Sequence, residues 1–127
     1  MIKHIPTKII ESLIKTTLES SGTKYTLVNK SNLSYILDSV VDINVGDEET
    51  VLLKKATYLI TKTIDLHPFA DGNKRAAAFM AIVFLSYNGK KLICSQDEFY
   101  DVLLGVAKRE LKENDIRKWL QTMVRQK

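Results

Sequence analysis

One cysteine, Cys94, is all the thiol chemistry in this 127-residue chain. A lone thiol excludes an intramolecular disulfide framework and a zinc site built on paired cysteines, and it points to a reducing, cytoplasmic setting. Proline is scarce, at positions 6 and 68 only, and there are just five glycines. So little punctuation argues against an all-β domain with its many tight turns. No apolar run approaches the ~20 residues that span a bilayer; the longest is Ala76 to Leu85. No membrane association is expected. The opening stretch MIKHIPTKII interrupts its apolar residues with Lys and Pro and reads as no secretory signal.

What is present is ordinary globular material. Hydrophobic residues make up 45% and charged residues 27% of the chain, a balance that excludes disorder. A mass of 14.5 kDa fits one domain over residues 1–127. The net charge is +4, but it is unevenly spread. Residues 31–65 carry six acids against three bases, and residues 66–93 carry four bases against one acid. The positive charge gathers at Lys74-Arg75 and Lys90-Lys91. A basic excess of this size fits an anionic partner, and also a merely solvated face.

Apolar residues recur at helical spacing. A first helix is predicted over 7–19, with Thr7 as cap and Ser20-Ser21-Gly22 as stop. An irregular stretch follows, with a short extended piece at Tyr25 to Val28. A second helix is predicted at 32–42, and a third from Asp47, as cap, to about Leu66. A fourth runs from about Gly72 or Asn73 to Tyr87 and, being apolar from Ala76 to Leu85, is expected to be buried on every side. Ser95 to Glu98 reads as a capping box before a helix of 96–111, and Asn114 as the cap of a last helix. Lys90 to Cys94 is the other extended candidate. The expected fold is all-α, about six helices around one central apolar helix.

The chemistry concentrates at the entry to that helix, His67-Pro68-Phe69-Ala70-Asp71-Gly72-Asn73-Lys74-Arg75. A helix amino terminus offers unpaired N–H groups and partial positive charge, a natural anion site. Gly72 allows close approach of a phosphate to the backbone, and Lys74 and Arg75 add full charges. Asp71 is a hard oxygen ligand suited to Mg²⁺ accompanying a phosphate. His67 is the one side chain here able to act as a general base near neutral pH. Taken singly each has a structural reading: Asp-Gly is an ordinary turn pair, and Phe69 a core anchor. Their contiguity ahead of an apolar helix points to phosphoryl or nucleotidyl transfer.

This stretch resembles the signature of the Fic/Doc superfamily, and within it the Doc (death-on-curing toxin) branch. The pattern is His, any residue, Phe, any residue, an acid or Asn, Gly or Ala, Asn, then two positions ending in Arg. Fic members usually have Gly between the Asn and the Arg, and Doc toxins have Lys, as here at Lys74. Pro68, by contrast, is commoner in Fic members. The similarity extends through Ala56-Thr57-Tyr58-Leu59 before the motif and Phe84-Leu85 and Asn88-Gly89 behind it. The resemblance implies that His67 deprotonates a target hydroxyl and that Asp71 binds the metal of an ATP–Mg²⁺ complex. It implies that Gly72, Asn73, Lys74 and Arg75 hold phosphates. By position, Lys30-Ser31-Asn32-Leu33 matches the flap with which the family grips a target backbone.

Doc toxins resemble Fic enzymes but phosphorylate a threonine of elongation factor Tu, and a Phd-type antitoxin neutralises them in trans. The resemblance therefore implies a toxin kinase with a protein substrate, and no direct nucleic-acid binding. A lysine at position 74 would fill space that a glycine leaves for the α- and β-phosphates, favouring a reactive γ-phosphate. Two other readings stand beside it: a Fic-like AMP transferase, and a silent binding module with the same fold. The inhibitory pattern of some Fic proteins, Ser or Thr, three residues, Glu, then Gly or Asn, does not occur here. At Glu113-Asn114 the residue four before the Glu is Arg109. Inhibition is expected to come from a separate protein. His4, Cys94 and Trp119 read as structural.

Overall fold

The computed structural model describes residues 1–127. It contains six helices: α1 (Thr7–Ser20), α2 (Lys30–Ser39), α3 (Glu48–Leu66), α4 (Asn73–Tyr87), α5 (Gln96–Ala107) and α6 (Glu113–Met123). A 3-10 turn, Val40–Asp42, extends α2. Two short strands, β1 (Lys90–Leu92) and β2 (Val124–Gln126), pair antiparallel with Lys91 opposite Arg125. The architecture is all-α, as the periodicity predicts. The second strand follows α6 directly and has no periodic signal of its own.

α4 is the spine. Its alanines let neighbouring backbones come close, and the helix contributes to both apolar clusters of the molecule. Ala77, Ala81, Phe84 and Leu85 join the larger cluster with side chains of α3, α5 and α6. Ala76 and Met80 face the smaller one, with Ile10, Ile14 and Leu18 of α1, Leu33 of α2, and Phe69. Burial on every side is not what the structure shows. Ile82 is 44% exposed and Ala78, Phe79 and Val83 are half-buried, because α1, α3, α5 and β1 surround the helix but leave one strip open.

The helix ends follow local chemistry, with five departures from expectation. The cap position of α1 is Pro6, whose carbonyl accepts from the N–H groups of Ile9 and Ile10, and Thr7 lies inside the helix. α2 begins at Lys30, two residues earlier than expected, because the Asn29 side chain accepts from the Asn32 N–H at 3.0 Å. At α5 the Ser95 hydroxyl accepts from Glu98 N–H, but Glu98 turns away to accept from the Trp119 indole at 3.4 Å, so half the capping box forms. α5 stops at Ala107 rather than near 111, as Gly105 O takes the N–H groups of Glu110 and Leu111 in a reversing turn. α6 starts before Asn114, closed by Asp115 Oδ2 accepting from Lys112 N–H at 2.9 Å. At α3 the expectation holds: Asp47 caps through Thr50 N–H at 2.8 Å, and that bond lowers the pKa of its carboxyl.

The amino-terminal segment is tied down by an unusual pair. Lys55 of α3 is 2% exposed, and its Nζ donates to Val40 O (2.7 Å) and Val41 O (3.1 Å). A third bond joins Nζ to His4 Nε2 at 2.9 Å. The lysine thus closes the carbonyl end of α2 and its 3-10 turn. If Lys55 donates, His4 must be neutral with its proton on Nδ1. Burial, and then the Lys55 charge, push the His4 pKa below its ordinary value of 6.5.

The unfolded chain therefore takes up a proton at His4 that the folded chain resists, and stability falls as pH drops below 6.5. Replacing His4 with Gln keeps an acceptor for Lys55 and removes the titration. The urea midpoint of His4→Gln is expected to fall less between pH 7.5 and pH 5.5 than that of the parent chain. Equal losses in the two proteins would show that the pair does not couple folding to pH.

Candidate active site

The chain must reverse between α3 and α4 within six residues, 67–72, and it does so with a left-handed residue at each end. His67 closes α3 at φ 46°, ψ 61°, and Gly72 opens α4 at φ 81°, ψ 18°. Positive φ is unusual for a residue with a side chain and costs roughly 1–3 kcal/mol, so His67 is held there by its surroundings. Asn32 supplies one restraint: its Nδ2 donates to Leu66 O at 2.6 Å, fixing the peptide just before the histidine. The His67 side chain itself is exposed and makes no hydrogen bond or ion pair within the chain.

Phe69, 1% exposed, anchors the middle of the loop against α1, with the Tyr25 ring tilted against it at 5.7 Å between centroids. The Asn73 side chain grips the same residue from the first turn of α4. Its Oδ1 accepts from Phe69 N–H at 3.0 Å and its Nδ2 donates to Phe69 O at 2.9 Å. A short extended segment completes the cradle. Leu27 bridges antiparallel to Phe69, Ala70 N–H donates to Thr26 O, and Val28 and Asn29 N–H both donate to Pro68 O.

Gly72 is required for a reason other than open space. Besides its positive φ, a Cβ there would sit 2.8 Å from Leu18 Cδ2 and 3.3 Å from Thr23 Cγ2. That side of the glycine is filled by protein, so its absent side chain serves packing against α1. α4 has no side-chain cap, and the N–H groups of Asn73, Lys74 and Arg75 find no partner within the chain. Asp71 Oδ1 accepts from Gly72 N–H at 2.8 Å, leaving Oδ2 free. Lys74 and Arg75 pair with no carboxylate. Arg75 is aimed by the turn after α1, donating through Nη1 to Thr23 Oγ1 and to Ser21 Oγ at 3.4 Å.

The loop thus brings together His67, Asp71, Gly72, Lys74 and Arg75 around an open helix terminus. Asn73 is brought there as well, but its side-chain amide is engaged with Phe69, which leaves its backbone N–H for an anion. Lys30, Ser31, Asn32 and Leu33 form the first turn of α2, with Leu33 fully buried. Of Tyr25 to Val28, the residues read as extended from sequence, Leu27 forms the bridge beside the loop. Ser21 and Thr23 had no sequence signal as parts of the site, and Asn32, read as part of the flap, had none as a support of the loop. They reach it across 34 to 54 residues of chain, through polar side chains of ordinary type.

No group of three or more His, Cys, Asp or Glu side chains is arranged to hold a metal. A caged metal centre has no donor set, whereas Mg²⁺ carried in on phosphates needs only one or two carboxylates and keeps waters. Asp71, exposed and with Oδ2 free, fits that second case. The sequence model of the Fic/DOC family matches residues 2–85, from the amino-terminal segment to the carboxy-terminal turn of α4. No curated protein matches the chain.

Removing the Asn73 amide strands a part-buried N–H and C=O of Phe69, a loss of about 1–3 kcal/mol for groups left unpaired. Asn73→Ala is expected to lower the urea midpoint accordingly without changing the slope of the transition. A midpoint within error of the parent would show that Asn73 does not clamp the loop.

Proposed function

The chain belongs to the Fic/DOC family, whose members are transferases acting on proteins, and from that premise we propose that it is a Doc-like protein kinase. In this reading it moves the γ-phosphoryl group of ATP to a Thr or Ser hydroxyl of a translation factor such as elongation factor Tu. The observation that carries it is the pairing of an exposed, unbonded His67 with the open amino terminus of α4, where Lys74 and Arg75 have no carboxylate partner.

The steps follow from the groups present. His67 takes the proton of the target hydroxyl as its oxygen bonds to the γ-phosphorus. The bond from that phosphorus to the β,γ-bridging oxygen breaks, and ADP leaves. The free N–H groups of Asn73, Lys74 and Arg75, with the two side-chain cations, bind the phosphate oxygens on which charge accumulates. Thr23 and Ser21 hold the Arg75 guanidinium so that little reorganisation is needed when the phosphate arrives. Asp71 Oδ2 would hold Mg²⁺, which when bound neutralises phosphate charge. The N–H and C=O of Leu27, which bond to nothing within the chain, offer an edge on which a target backbone can lie.

Such an activity calls for restraint in the cell that makes it. We assign that to a Phd-like antitoxin in the same compartment, the cytoplasm, docking an amphipathic segment on the helices around the loop. Ile9 and Leu13, exposed along α1, give such a segment apolar contacts. A second reading, transfer of AMP, is favoured by Pro68, the residue commoner in Fic members.

Labelled ATP separates the two. With a translation extract, γ-label is expected on a protein of the extract, and α-label there would overturn the kinase in favour of AMP transfer. His67→Ala should lower the transfer rate by ~10²–10⁴-fold, the usual worth of a general base. Near-parental transfer by that variant would remove His67 from the role.

Lys74→Gly tests what orients the nucleotide. Loss of the ammonium should slow γ-transfer and make room for the phosphates to enter in the other sense. An unchanged γ-transfer rate would show that position 74 does not choose between the two reactions.

A further inference from the structure

Away from the motif loop, a groove of about 660 Å³ runs between α2, α3 and α6. Lys54, Thr57, Tyr58 and Lys62 form one stripe of α3 along it, spaced three and four residues apart. At 1.5 Å per residue the stripe is ~12 Å long. Tyr35 lines it from α2, and Glu113, Asn114 and Arg117 from the first turns of α6. None of His67, Asp71, Gly72, Lys74 or Arg75 touches it.

Its charge is positive. Three cations face one carboxylate, and the ion pair that carboxylate makes, Lys62 to Glu113, is long at 3.8 Å. Lys54 donates to Val45 O and Arg117 to Asn114 Oδ1, so both keep their charge uncompensated. Burial raises the pKa of Tyr58, which keeps that phenol neutral. Two tyrosine rings border the groove: Tyr35 is 58% exposed, and the Lys62 ammonium stands 5.9 Å from the centre of the Tyr58 ring.

The floor holds an unmet bond. Thr57 is 4% exposed, and its hydroxyl has no hydrogen-bond partner. Buried polar groups are normally paired, and an orphan in a cleft points to a ligand atom that completes it. The volume lies within the ~300–1,000 Å³ typical of small-molecule sites.

We propose that this groove is a second binding site, separate from the motif loop, for a small organic phosphate carrying a planar ring. Lys62 and Arg117 take the phosphate, Tyr35 and Tyr58 take the ring, and the Thr57 hydroxyl donates to a polar atom of the seated ligand. The site does not depend on the transfer reaction assigned to the loop.

The probe is AMP without added metal, titrated into the ¹⁵N-labelled His67→Ala chain so that no turnover intervenes. Amide shifts are expected over 54–62 and 113–117. Their apparent affinity should weaken about tenfold or more in Arg117→Glu and largely return in Arg117→Lys, as expected for a charge-assisted phosphate contact. Shifts over 72–75 report separately on the loop and keep that reading testable on its own. The proposal is overturned if millimolar AMP shifts only 72–75 or nothing. It is equally overturned if Arg117→Glu binds as the parent does, or if inorganic phosphate shifts the groove as strongly as AMP.

Discussion

The turn from α3 into α4 is the constraint on which the rest of this molecule depends. Both helices are core elements, and their packing fixes where each must end. Six residues then have to reverse the chain while keeping His67 outside and Phe69 inside. That is possible because both ends of the turn are left-handed, and because the Asn73 amide supplies both hydrogen bonds that the Phe69 backbone needs. The buried phenylalanine gives the loop an anchor in the same apolar cluster that holds α1. Loop geometry and core packing are therefore one problem, solved by the same residues.

α1 is tied to the site twice over. Leu18 occupies the space beside Gly72, and the turn that follows carries Ser21 and Thr23 to Arg75. A shift of α1 would reach the cations of α4 through both contacts. On the other side of the loop, Asn32 ties α2 to the last peptide of α3. The loop is thus braced from three helices, yet its histidine and its acid remain open to solvent. Rigid backing with an exposed working face is what positioning a reactive group requires.

Much of this was legible in the sequence, and the parts that were not share a physical cause. Helix periodicity located every helix, because apolar spacing is set by burial over many residues. The boundaries slipped where the cap was a backbone carbonyl, as at Pro6, or where a side chain had a better partner, as at Glu98 with Trp119. β2 went unseen because three residues at the end of α6 gain strand geometry only from pairing with β1. At the loop, contiguity made the motif readable in a way its supports were not. Ser21, Thr23 and Asn32 act through distance contacts that no local pattern encodes. The packing role of the glycine was not legible, since the Leu18 side chain that fills the space beside it comes from another helix.

The electrostatics of the helix starts show what the fold gives up for the site. α3, α5 and α6 each place two acids in the first turn, where the helix dipole favours them. α4 places none, and carries Lys74 and Arg75 there instead, with no capping side chain. Each cation in that position opposes the dipole by about 0.3–1 kcal/mol at an exposed site. A helix that joins both apolar clusters therefore carries an unfavourable terminus, and its packing is what makes that tolerable. α1 and α2 also lack acids in the first turn and carry one lysine each there, Lys8 and Lys30, so α4 is set apart by two adjacent cations. In the transfer proposed here the same repulsion would be relieved, because the three free N–H groups and both cations would gain a common partner in the phosphate. On that reading the unfavourable terminus of the free protein is a source of affinity for phosphate.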